Sequence, residues 1–193
     1  MNRMIGVIKR KSAHLYFFLF FAVVFLIGEG LGSGLSVMAD KPELSEFEAN
    51  LSYSVEHSGE DMTRAVVQSA ISVSLLVLSL WMCGFLPKAA AIAVTSAVIA
   101  YKGVAVGYTI GMIVRVLGFS GLWLAVVSML PQYIFLLPLM FVAAEVAVNY
   151  FSGASVSVKI KKYFVTAFVF LFAGIICSFM DGAVSAILIK ALF

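Results

Sequence analysis

Charge is what this chain has least of. Of 193 residues only 12% are Asp, Glu, Lys or Arg, against 63% hydrophobic, and the mean hydropathy is +1.08. A soluble domain of this length has too much surface to hide that share of apolar side chain, so lipid is the solvent for most of it. Histidine and cysteine are almost as scarce, with two of each. His14 and His57 are far apart, no HExxH or His/Cys cluster occurs, and a metal centre built on such ligands is excluded. No Ser-His-Asp constellation, phosphate-cradling glycine loop, paired aspartates or soluble ATPase segment is present. The expectation is therefore a protein that is not an enzyme and carries no cofactor. Cys83 and Cys177 sit at different depths of their apolar runs, too far apart for the roughly 7 Å a disulfide needs, and are expected as free thiols. The net charge of +3 is spread among runs and loops, with no face for nucleic acid.

What is present is length of apolar run. Five such runs cover about 15–38, 65–85, 89–116, 122–150 and 163–188, each reaching the ~20 residues that cross a bilayer. No linker or repeat divides them, so residues 1–193 read as one membrane domain. The predicted fold class is all-α: a polytopic membrane protein with five transmembrane helices. Arg3, Lys9, Arg10 and Lys11 precede the first run, Lys88 follows the second, and Lys159, Lys161 and Lys162 precede the fifth. With five crossings all eight fall on one side, which the positive-inside rule assigns to the cytoplasm. The expected location is the cell membrane, amino terminus cytoplasmic and carboxyl terminus extracytoplasmic. A cleaved leader competes for the first run, because basic residues precede an apolar core and Val37-Met38-Ala39 suits cleavage. The small-residue stretch Gly28 to Gly34 reads instead as a packing surface and favours a retained span.

The loop 39–64 falls outside on this topology. From Asp40 to Arg64 it holds seven acidic residues and two basic ones. Leu44, Phe47, Leu51 and Val55 recur at helical spacing after Pro42, which suits a first turn, so a short amphipathic helix is predicted here. Its polar side carries Glu43, Glu46, Glu48 and Glu56. Two roles are open: a lid packed on the spans, or a docking surface for a basic extracytoplasmic partner. Anionic lipid would be repelled.

Inside the membrane, Lys102 costs roughly 2.5–3.5 kcal/mol on insertion scales and needs a reason to be there. Gly103, Gly107 and Gly111 form a GxxxG stripe for close helix packing, within the chain or in a homodimer. Counting ~1.5 Å per residue puts Lys102 about 21 Å from Lys88, Glu29 about 27 Å from Lys11 and Glu145 about 10 Å from Ser152. A polar intramembrane cluster of Glu29, Lys102, Gln132, Tyr133 and Glu145 is predicted, with Lys102 paired to Glu29 or to carbonyls freed near Pro131 and Pro138. Those prolines are expected to kink or break the fourth helix. Residues 118–131 read either as a turn or as a short re-entrant helix. Arg115 is expected among the outer headgroups, and Trp81, Trp123, Tyr16, Tyr150 and Tyr163 in interface belts.

Three blocks carry a family resemblance: Tyr101 to Gly111, Leu117-Gly118-Phe119-Ser120-Gly121, and Ser128-Met129-Leu130-Pro131-Gln132 with Pro138. In order and spacing they resemble the stage II sporulation protein M family, best over about residues 81–150. Wider relatives outside spore formers carry His-Gly and Glu-Leu-Pro around these prolines. Gln132-Tyr133 and Leu136-Leu137-Pro138 stand there in this chain, which resembles the sporulation branch. The resemblance implies a membrane scaffold of engulfment acting with stage II sporulation proteins D and P, which cut septal peptidoglycan. The alternative is a transporter-like or permease-like subunit with a small solute in a Lys102/Gln132 cavity.

Overall fold

The computed structural model describes residues 2–56, 62–150 and 163–179, and side-chain surroundings for most of these. The elements are α1 (Asn2–Met38), α2 (Lys41–Glu56), α3 (Met62–Cys83), α4 (Lys88–Leu117), α5 (Phe119–Tyr150) and α6 (Tyr163–Phe179). The described chain is helical with no strands, as the continuous apolar runs require of a membrane-embedded backbone. The α1–α2 break falls where Ala39 and Asp40 precede Pro42, and α2 starts with the Leu44 amide donating to the Asp40 carbonyl at 3.1 Å. The α3–α4 reversal is a tight one. Gly84, Phe85 and Leu86 amides donate three residues back, and Pro87 (φ −54°) then caps α4, its carbonyl taking the Ala91 amide at 2.8 Å. Gly118, at φ 64°, ends α4 in a backbone conformation that side chains rarely adopt, and α5 begins at once.

The most extensive packing is α1 on α4, and glycine creates it. A Cβ added at Gly28 would strike the Ala100 carbonyl, and one at Gly32 would strike the Val104 carbonyl. From the other side, a Cβ at Gly103 would meet the Phe25 carbonyl and one at Gly107 the Glu29 carbonyl. Gly111 faces the Ser36 side chain. The backbones therefore touch where neither helix has a side chain, which is how small residues associate helices without a hydrophobic drive. The pairs Phe25–Gly103, Glu29–Gly107 and Ser36–Gly111 climb together, so α1 and α4 run parallel. Gly30 and Gly34 meet nothing within 4 Å. Only alternate glycines of the first run join the contact.

The core lies between α1, α4 and α5, with Leu80 reaching in from α3. Phe141 of α5 meets Phe18 edge-on at 5.2 Å and Phe25 at 6.3 Å. A second, smaller cluster joins Val73 and Val77 of α3 to Leu136 of α5 and Phe170 and Leu171 of α6. Large apolar side chains such as Leu19, Leu26, Leu75 and Phe168 stay exposed, as a lipid-facing surface demands.

Two expectations change. Among the described residues three helices, not five, are long and apolar enough to cross a membrane: Leu15–Met38, Val66–Cys83 and Lys88–Leu117. Tyr133–Asn149, inside the longer helix α5, and Tyr163–Phe179 are further apolar stretches among the described residues. Second, α5 is helical without interruption through Pro131 and Pro138, so neither proline breaks it and no re-entrant segment forms at 118–131. Each proline removes a single rung, and the turns on either side keep theirs. Pro138 is also exposed, away from the bundle interior.

Candidate functional site

Lys102 sits at the middle of α4 and half-buried. It lies one residue before Gly103, about 100° round the helix from the face that meets α1. It therefore lines a different space, a cleft of about 610 Å³ between α3 and α4. Ser72, Leu75, Leu76 and Ser79 form the α3 wall; Val94, Ala97, Val98, Tyr101, Lys102 and Ala105 form the α4 wall. Both sets repeat at helical spacing, so each wall is one helix face. The cleft exists because α3 and α4, though consecutive, touch little beyond their tight turn. Lys102 is the charged residue among the described lining.

Gly103 packs between the Phe25 carbonyl and the Glu29 amide nitrogen, and Gly28 packs on Ala100, so Lys102 and Glu29 lie at neighbouring levels of the α1–α4 pair. Glu145 is buried on the α5 face that carries Ala144 and Val148, which cluster with Ala91 near the start of α4. That is about 16 Å from Lys102 along α4. Tyr133 lies beside Leu136 and Leu137 where α5 packs on the core. The five polar residues thus form no single knot. Gln132 and Pro131 lie in α5, but their side-chain surroundings are outside the described residues, as are Glu56 and the whole segment bearing Lys159, Lys161 and Lys162.

A second candidate surface lies at the shared carboxyl-terminal end of α1 and α4. There α2 packs against α4. Leu44, Phe47 and Leu51 are half-buried, whereas Glu43, Glu46 and Glu48 are exposed on the free side. Arg115 fixes this end. Its Nη1 donates to the Ser36 carbonyl and, at 3.1 Å, to the Ala39 carbonyl. Ser36 is in the last turn of α1, where its carbonyl also takes the Ala39 amide, and Ala39 lies just past the helix end. The guanidinium expected among headgroups therefore serves as the cap of a neighbouring helix.

The structure also brings together two aromatics that the sequence left unpaired. Tyr163 is 2% exposed, stacked on Trp81 at 5.7 Å, and its hydroxyl donates to the Trp81 carbonyl at 2.6 Å. Phe85 and Phe164 close the cluster edge-on to Trp81 at 5.1 and 4.8 Å. These rings join α6 to the end of α3. Tyr16 and Trp123 are exposed as belt residues would be. Cys83 and Cys177 are free, and no group of metal-ligating side chains occurs among the described residues.

A helical protein with apolar spans and a glycine-packed parallel helix pair is a membrane protein. The model of the stage II sporulation protein M family matches residues 16–192, and the chain belongs to that family. It is thus a sporulation-related membrane protein. No curated protein and no solved structure matches it.

Proposed function

We propose that this chain is a membrane scaffold that holds peptidoglycan-remodelling enzymes at the septal membrane during engulfment in endospore formation. Its partners are the stage II sporulation proteins D and P. The protein is multi-pass in the cell membrane, with its amino terminus cytoplasmic, its carboxyl terminus extracytoplasmic and α2 on the wall side. The observation that carries this reading is α2. Within it four glutamates stand against one lysine, the apolar side is seated on the spans, and Glu43, Glu46 and Glu48 are left facing out. Such an arrangement suits a basic partner surface and repels an anionic bilayer. Family membership supports the sporulation setting.

The combined substitution Glu43→Lys, Glu46→Lys and Glu48→Lys tests it. Like charges brought together at an interface cost several kcal/mol. Recovery of proteins D and P with the intact chain in mild detergent should fall about tenfold or more, with α2 helicity retained. Unchanged recovery would remove the proposal. The Lys102 cleft supports a second reading, a permease-like subunit holding a small solute. Solute uptake that is lost in Lys102→Met, with proteins D and P still recovered, would favour it.

A further inference from the structure

Arg115 commits one nitrogen of its guanidinium to the protein and leaves an edge of the group open. Nη1 donates to the Ser36 and Ala39 carbonyls, at the joint between α1 and α2. Nε and Nη2 have no acceptor among the described residues, and no described carboxylate pairs with the charge. The two carbonyls hold the planar group in place. Its Nε–Nη2 edge is thereby a fixed fork, of the shape that takes two oxygens of one oxyanion. The side chain is exposed in the last turn of α4, a helix of spanning length, which sets it at the level of lipid headgroups. Large apolar side chains are exposed beside it in the chain: Val37 and Met38 between the two acceptor residues, and Phe119 just past Gly118. Capping α1 uses Nη1 and accounts for neither the open edge nor these apolar neighbours.

We propose that the open edge of Arg115 binds a phosphate oxyanion, and that this phosphate belongs to a phospholipid headgroup. The fork sets the chemistry of the anion. The apolar neighbours select its source, because Val37, Met38 and Phe119 give acyl chains a surface to lie on, which a free phosphate cannot use. The carbonyls of Ser36 and Ala39 already fix the guanidinium, so little ordering remains to be done on binding. One side chain then ties together the end of α1, the end of α4 and a headgroup, at the root from which α2 departs. Anionic lipid is repelled along the free side of α2, where Glu43, Glu46 and Glu48 are exposed, and is attracted at its root. The bound headgroup fixes the level at which α2 leaves the bundle. The site stands independently of the scaffold reading.

The test uses the full chain in a maltoside detergent freed of phospholipid. It is titrated with dihexanoyl phosphatidylglycerol, with dihexanoylglycerol, which has the same chains and no phosphate, and with inorganic phosphate. Native mass spectrometry counts the ligand retained. The phospholipid should bind about tenfold more tightly than dihexanoylglycerol, as charge-assisted hydrogen bonds give. Arg115→Gln should remove most of that preference. Arg115→Lys keeps the net charge without the fork and should restore only a part, which separates the fork from attraction to any cation. Helicity by circular dichroism checks that both variants fold. The comparison of the two lipids on the unsubstituted chain decides the matter even where a variant does not. Equal retention of the two lipids, or a phosphate preference that survives Arg115→Gln, would overturn the proposal. So would inorganic phosphate that displaces the phospholipid at equal concentration, which would make this a free-anion site. Recovery of proteins D and P plays no part in the readout, so the two proposals fail separately.

Discussion

At the scale of single residues, two glycines four positions apart have different duties from the two that alternate with them. Gly28 and Gly32 face backbone carbonyls of α4, and Gly30 and Gly34 face open space. Gly107→Ala should destabilise the chain by about 1–3 kcal/mol, the usual cost of overpacking, because the Glu29 carbonyl it strikes is backbone and has nowhere to move. Gly30→Ala should be close to neutral. Thermal unfolding in detergent compares the pair, and equal losses would show that the α1–α4 contact is not set by Gly107. The sequence displayed both glycine pairs at identical spacing, so nothing local chose between them. The choice came from which face α4 covers. Arg115 is a similar case: its charge and position were legible, its acceptors were not, because the carbonyls of Ser36 and Ala39 are brought there only by the α1–α4 crossing.

Helices joined by little else are held by a few fixed contacts. Beside the apolar cluster of Val73 and Val77 with Phe170 and Leu171, α3 and α6 are joined by the rings around Trp81, with one hydroxyl bond at their centre. Tyr163→Phe removes that bond and keeps the stacking, so it should cost about 0.5–1.5 kcal/mol, the net worth of one hydrogen bond. Near-ultraviolet dichroism of the tryptophans should change little, whereas Tyr163→Ala should change it strongly and cost more. Equal effects of the two substitutions would mean that the stacking contributes nothing. The amphipathic helix α2 was legible because Leu44, Phe47 and Leu51 repeat at three and four. The unbroken course of α5 was not, since proline signals a lost rung without saying whether the remaining ladder holds.

For the molecule as a whole, the parallel register of α1 and α4 places α3 between them as a return crossing. The proposed topology sets the basic residues before α1 and at the α3–α4 turn in the cytoplasm, and α2 on the wall side. In a Cys83→Ala, Cys177→Ala background, Ser45→Cys in α2 should react with a membrane-impermeant maleimide applied to intact cells. Leu86→Cys at the α3–α4 turn should react only after permeabilisation. The reverse pattern would invert the topology and remove α2 from the wall side. The acidic helix α2 lies at one end of the lipid-facing surface, and the half-open cleft lies between α3 and α4.

The sequence by itself determined the solvent, the helices and the family. Too few charges for a soluble surface, apolar runs of spanning length and the Lys102 to Gln132 motif order settle those without any long-range contact. Tertiary structure alone decided which side of each helix meets which neighbour. An α-helix turns about 100° per residue, so Gly103 can lie against α1 while Lys102, one position earlier, opens onto α3. A run apolar on every side has no amphipathic stripe to announce that rotation. It is fixed only where the backbones of α1 and α4 come close enough to exclude a Cβ.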